Sequence, residues 1–260
     1  MTGSRGGGIA VAADDVLAAG PPGAPAIVFI HGTRLTGSAW TAQLACLSDE
    51  FRTIAPDLPA HGSHADEPFT LDGAADAVAT TIRDHATRGQ AVVVGLSLGG
   101  YVAMTLAARH PERVRGLVVA GATAEPLGLW MLPFLARAAL MDRIDASYLD
   151  RLDRWFFRTR YPPAIADPIL AGGFWSAGGA DALRAVIGER FTPRLASYPG
   201  PTLILNGEYD LLFRLSARKF AAARNARRVR LAGATHLANL DRPAAFSEAV
   251  RRFARSLDRV

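Results

Sequence analysis

The sequence predicts an α/β protein, a mostly parallel, doubly wound sheet broken by one helical insertion. Three observations carry this. Short apolar runs rich in β-branched residues recur along the 260 residues. Segments with helical spacing separate most of them, and the alternation stops between about residues 123 and 196. Half of the residues are apolar and a fifth are charged, the balance of a globular chain able to bury one sizeable core.

In order, the runs are AIVFIH (26–31), FRTIAP (51–56), AVVVGL (91–96), VRGLVVAG (114–121), PTLILNG (201–207) and RRVRLAG (227–233). Their hydrophobicity is continuous rather than alternating, as in strands covered on both faces. Helical patterns fall at 38–48, 70–88, 98–110, 212–224 and 243–257, the last opened by Asp241 and Pro243. Strand and helix alternating in this way imply parallel neighbours wrapped by helices. Residues 123–196 read differently: PLGLWMLPFLARAAL, YLDRLDRWFFRTRY and GGFWSAGG are aromatic and apolar without strand runs. Trp130, Trp155 and Trp175, three of the four tryptophans, fall there. The expected organisation is a core over 1–122, a helical cap over 123–196, and the rest of the core over 197–260.

The formal net charge of +5 comes from 28 arginines and the single Lys219 set against 24 acidic residues. An arginine bias of this size says little about partners. The densest cluster, RNARRVR with Arg224, Arg227, Arg228 and Arg230, has Asp210 and Asp241 nearby in sequence and no interleaved aromatics. It reads as a solvated helix end, and no nucleic-acid partner is expected. One cysteine, Cys46, excludes an intrachain disulfide and a Cys-rich metal site, and within WTAQLACLSDEF it reads as a small buried core residue. The opening MTGSRGGGIAVAADDVLAAG has no continuous apolar segment, being interrupted by Asp14 and Asp15, so a cytoplasmic location is expected. Residues 91–108 carry no charge, yet Gly95, Gly99 and Gly100 break them in the middle. A buried strand turning into a buried helix fits that run better than a membrane span.

GLSLG at 95–99 sits where a strand must reverse sharply into a helix. Gly95 and Gly99 remove side-chain bulk at the bend, and Ser97 is held at its apex. The hydroxyl then faces the carboxyl end of the sheet beside a helix N-terminus. A serine hydroxyl is a poor nucleophile at neutral pH, so it needs a base, and the base needs an orienting carboxylate. Asp210 follows the strand LILNG, and His236 follows the strand RVRLAG, both on the edge that carries Ser97. Glu208 and Glu125 are rival carboxylates. FIHGT (29–33) ends another strand, where a backbone N–H could complete an oxyanion hole with that of Leu98. His31 is expected to bond backbone near that loop, and His61 and His64 to be solvated turn residues. No two histidines share helical ligand spacing with a carboxylate, and no GxGxxG follows a strand. Neither a metal nor a cofactor is expected.

At HGTRLTGSAW, PDLPAHG, GLSLGG, HPERVRGLVV, LILNGEYD and GATHLANLDRPAAF the chain resembles the α/β-hydrolase superfamily over nearly its whole length. The resemblance implies Ser97 as nucleophile, His236 as base, Asp210 as orienting acid, oxyanion donors from Thr33 and Leu98, and a helical cap. It departs from the common pattern at Arg34, a bulky charge beside the oxyanion loop, at Ala60 in PDLPAHG, and at Thr235 before the histidine, the last two being positions where glycine is usual. Arg34, Trp130, Trp155, Phe174 and Trp175 are candidates to line the substrate pocket. The expected function is hydrolysis of a small, largely apolar ester or lactone, a small-molecule substrate. Carbon–carbon bond hydrolysis of a diketone-like substrate and a slow-turnover, hydrolase-like receptor are the alternatives.

Overall fold

A computed structural model of the chain describes residues 9–11, 16–224 and 226–259. Asp14 and Asp15 of the N-terminal reading lie outside them, as do Asn225 and the side chain of Arg224. Among the described residues the sheet has eight strands. Along the chain they are β1 (Ala10–Val11), β2 (Leu17–Ala19), β3 (Ala26–Ile30), β4 (Arg52–Ala55), β5 (Ala91–Leu96), β6 (Val114–Ala120), β7 (Thr202–Gly207) and β8 (Arg227–Leu231). Their spatial order is β1-β2-β4-β3-β5-β6-β7-β8. The pairings from β4 to β8 are parallel, and β1 and β2 add an antiparallel edge.

The helices of the sheet layers are α1 (Thr41–Leu47), α2 (Leu71–His85), α3 (Leu98–Arg109), α9 (Leu211–Arg224), the short α10 (Ala238–Asp241) and α11 (Pro243–Ser256). Between β6 and β7 the chain forms α4 (Leu132–Arg143), α5 (Ala146–Arg160), α6 (Pro163–Gly172), α7 (Ser176–Val186) and α8 (Phe191–Ser197). The last of these packs on α3 and α9, with Phe191 against Tyr101 at 4.3 Å between ring centroids.

Continuous hydrophobicity in the central strands has a direct cause. Val28, Ile30, Val93, Leu117 and Val119 face a core shared with α2 and α3. Their alternate neighbours Ile27, Phe29, Val92, Val94 and Val118 face a second core, filled by Trp40, Leu44, Phe246 and Val250. Two buried faces leave no room for alternation. β8 departs from that expectation. It is the edge strand, Arg227, Arg228 and Arg230 are exposed, and only Leu231 is buried. Cys46 departs too: α1 buries Gln43, Leu44 and Leu47, which puts Cys46 on its exposed outer side.

Two histidines tie together the loops after β3 and β4. The His31 Nδ1–H donates to the Gly32 carbonyl at 2.9 Å, and Nε2 accepts from the Leu58 N–H at 2.9 Å. His61 was expected in solvent but is fully buried. Its Nδ1–H donates to the Pro59 carbonyl at 3.0 Å, and Nε2 accepts from the Arg34 N–H at 3.2 Å. Each ring needs one N–H and one lone pair, so both must be neutral. Burial, aided by the neighbouring His31, lowers the His61 pKa to about 3, and burial lowers that of His31 as well.

In the unfolded chain a histidine takes up its proton near pH 6.5. Stability from the neutral rings is therefore complete above that pH and is lost as pH falls toward 3. We expect the unfolding free energy from urea titrations to decline below pH 6 by about 1.4 kcal/mol per pH unit for each such histidine. His61→Gln should remove one histidine's share of that slope. An unchanged slope would show that His61 is not held neutral by the fold.

Candidate active site

At the β5–α3 junction Ser97 has φ 55° and ψ −120°, a backbone conformation that costs a non-glycine residue about 1–3 kcal/mol. The surroundings enforce it. The Ser97 N–H donates to the Ala120 carbonyl at 2.8 Å, and its own carbonyl accepts from the Gly100 and Tyr101 N–H groups. A Cβ at Gly95 would lie 2.1 Å from the Gly99 carbonyl oxygen, and one at Gly99 would lie 2.1 Å from that of Ile30. Only glycine allows helix and strands to approach that closely.

His236 lies in the loop after β8. Its Nδ1 is 3.0 Å from Oδ2 of Asp210, which is buried after β7. The imidazole stacks on Phe213 at 4.9 Å between centroids. The rival carboxylates are engaged elsewhere. Glu125 accepts from the N–H groups of Phe191 (3.2 Å) and Thr192 (2.7 Å) and so caps α8. Glu208 accepts from the Gly233 N–H at 3.0 Å. Among the described residues neither the Thr33 nor the Leu98 N–H has a protein acceptor, whereas the Arg34 N–H is taken by His61.

Thr235 is explained by Asp241, which in the sequence marks a helix start. Asp241 Oδ2 accepts from the Thr235 N–H (2.7 Å) and hydroxyl (2.5 Å). Its Oδ1 accepts from Arg160 and from the Tyr161 hydroxyl, each at 3.0 Å. One carboxylate therefore fastens the loop of His236 to the end of α5.

Ser97 and His236 open into one cavity of about 550 Å³. The strand-end loops supply Gly32, Thr33, Arg34, Thr235 and Leu237, and α4, α5 and α7 supply the facing wall. Of the predicted pocket residues, Arg34 and Phe174 line it. Trp155 is 66% exposed and Trp130 47% exposed, while Trp175 donates its indole N–H to the Gly172 carbonyl at 3.2 Å. Helix period explains the displacement. Asp153, Phe156 and Phe157 line the cavity from α5, and Phe134 and Arg137 from α4, spacings of three and four that put Trp155 on the other side. Phe134 and Phe156 are among the cap aromatics the sequence offers for the pocket, whereas Phe157, Arg137 and Asp153 are marked there only by that spacing.

Charge in the cavity is confined to few groups. Arg34, which is 6% exposed, places Nη2 2.5 Å from Oδ2 of Asp153 and lies over the Phe174 ring at 6.0 Å. Burial raises the Asp153 pKa against the pull of Arg34 and Arg137, and lowers that of Arg137, with Arg34 adding to the effect. No helix among the described residues is long and apolar enough to cross a membrane.

The chain is similar to 3-oxoadipate enol-lactonase 1 of Acinetobacter baylyi, 28% identical over 250 residues that span 92% of this chain and 91% of the relative. Relatives matching at 38–39% do so over only 36–37% of their own length. One is the pimeloyl-[acyl-carrier protein] methyl ester esterase of Aromatoleum aromaticum, 39% identical over 97 residues, 37% of each chain. A thermophilic esterase from Thermogutta terrifontis shares the fold with a TM-score of 0.77 at 24% identity, covering 93% of both chains. The alpha/beta hydrolase family model matches residues 27–249, and with the parallel sheet and the turn at Ser97 this places the chain in that family.

Proposed function

We propose that this chain is a serine hydrolase that cleaves a small, largely apolar carboxylic ester or lactone through an acyl-enzyme on Ser97. The observation that carries the reading is a strained serine sharing a mostly apolar cavity with an imidazole whose Nδ1 lies 3.0 Å from a buried carboxylate. Ser97 Oγ attacks the carbonyl carbon as His236 Nε2 removes its proton. Asp210 keeps the His236 proton on Nδ1 and favours the imidazolium that forms. The N–H groups of Thr33 and Leu98 receive the developing oxyanion. His236 then protonates the leaving alcohol oxygen. Water, deprotonated by the same imidazole, attacks the acyl carbon, and the carboxylate product leaves with Ser97 restored. Helices α4–α7 serve as the cap, excluding bulk water and setting the shape of the acyl or alcohol site. Relatives named as an enol-lactonase and an esterase support this bond class.

Ser97→Ala should lower turnover of a chromogenic ester by about 10⁴-fold or more without loss of fold, and should abolish labelling by a fluorophosphonate. Activity within tenfold of the parent would exclude Ser97 as nucleophile.

Asp210→Asn should leave His236 in the wrong tautomer and cost up to about 10⁴-fold in kcat. Glu125→Gln should instead act on stability, by about 1 kcal/mol through the weakened cap of α8, with turnover kept. Turnover that follows Glu125 rather than Asp210 would reassign the acid.

Cap aromatics should separate by helix face. Phe156→Ala should change the ratio of kcat/KM between hexanoyl and acetyl esters, whereas Trp155→Ala should leave that ratio as in the parent. A larger shift for Trp155 than for Phe156 would contradict the cavity lining.

A further inference from the structure

The cavity wall that faces Ser97 and His236 is apolar apart from one group of charges. Arg34 comes from the loop after β3, Arg137 from α4 and Asp153 from α5. Arg34 Nη2 lies 2.5 Å from Oδ2 of Asp153, an ion pair, and Arg34 Nε is buried without an acceptor. Arg137 has neither a hydrogen bond nor a salt bridge among the described residues, its charged neighbours being Arg34 and Asp153. Arg137 is exposed and lines the cavity, and the protein around its guanidinium, with Arg34 beside it, lowers its pKa.

A buried donor without an acceptor is unfavourable by about 1–3 kcal/mol, and two arginines beside one carboxylate leave the group with a net positive charge. The ion pair matches Arg34 and leaves Arg137 on the cavity wall without a carboxylate of its own. The acceptor that completes this set must be planar, anionic and carried at the end of an apolar body that fits between the phenylalanines of the cap. A carboxylate has that geometry for the fork of a guanidinium.

We propose that Arg34 and Arg137 form a carboxylate-binding subsite, so that the substrate is an ester or lactone bearing a second, free carboxylate remote from the bond that is cleaved. This rests on the hydrolase reading above for the reacting bond, but not for the binding of the anion. Arg34 binds from a fixed position, with its N–H held by His61 and its carbonyl accepting from the Trp175 N–H at 3.0 Å. Arg137 completes the pair from the cap, and Asp153 keeps the empty site from carrying two uncompensated charges.

Two matched substrate pairs test this. Mono-4-nitrophenyl adipate against methyl 4-nitrophenyl adipate puts the charge on the acyl side, and 4-acetoxybenzoate against its methyl ester puts it on the leaving group. The parent should prefer the acid in one pair by about tenfold or more in kcat/KM, the scale of one charge-assisted contact. Arg137→Gln should reduce that ratio to near one. Arg252→Gln removes the same charge from α11, where Arg252 pairs with Glu248, and should leave the ratio within about twofold. No preference in either pair would overturn the subsite while leaving the hydrolase reading intact. A ratio that falls equally in Arg252→Gln would also overturn it, by assigning the preference to overall charge. If neither pair is hydrolysed, calorimetric titration with adipate decides. Binding that is lost in Arg137→Gln keeps the subsite and removes the reaction, and absence of binding to the parent removes both.

Discussion

Between Gly95 and Gly99 the backbone turns back on itself so closely that carbonyl oxygens of Gly99 and Ile30 occupy the space of two side chains. Much of the site depends on that contact. It brings the start of α3 against the ends of β3 and β5, which are adjacent and parallel, with Ile30 opposite Gly95. It also leaves Ser97 in a conformation it would not choose alone, and packing density is what prevents relaxation. Because β3, β5, β6, β7 and β8 run in one direction, the loops that follow them emerge on one edge, and side chains distant in sequence converge there. The sheet supplies direction, and the glycines supply proximity.

Asp241 is the second fastening. Its carboxylate, 3% exposed, accepts from the Thr235 amide, the Thr235 hydroxyl, Arg160 and Tyr161. A buried charge with four donors is stabilised where one with none would be expelled. Glycine at position 235 would lose one of those donors, so the departure from the common pattern is matched by a hydroxyl that has work to do. The link also couples the end of α5 to the loop carrying His236. The side of the cavity that shapes a substrate is thereby tied to the side that holds the base.

The sequence made six strands and five helices legible because each buried face leaves a periodic trace. β1 and β2 were not read, being two and three residues long, β2 of alanine and leucine alone, too short for any period to register. β8 was misread as covered because RRVRL is β-branched and apolar only in part, and nothing local distinguishes an edge strand from an inner one. Ser97, Asp210 and His236 stood out through order and position relative to strands. His61 did not, since a histidine in a Gly- and Pro-rich turn looks solvated until the neighbouring loop is placed over it. Arg137 and Asp153 were missed for a related reason. On amphipathic helices charged residues normally mark the wet face, and here the wet face is the inside of a cavity.

Four non-glycine residues among those described have positive φ; Ser97 and Arg34 line the site, and Ala60 lies against α7. For Ser97 the strain presents a hydroxyl. Ala60 and Arg34 carry theirs where α7 docks, since a Cβ at Gly178 would lie 2.0 Å from the Ala60 carbonyl oxygen and one at Gly179 2.5 Å from Arg34 Cγ. Glycine at 34 would remove the backbone strain, about 1–2 kcal/mol for a left-handed L-residue, and would remove a largely buried guanidinium as well. It would also leave the Asp153 carboxylate without its partner. The fold instead holds Arg34 from both sides, through His61 at its N–H and Trp175 at its carbonyl. The strained backbone thereby delivers a buried guanidinium to the cavity wall, where Asp153 at 2.5 Å and the Phe174 ring at 6.0 Å receive it.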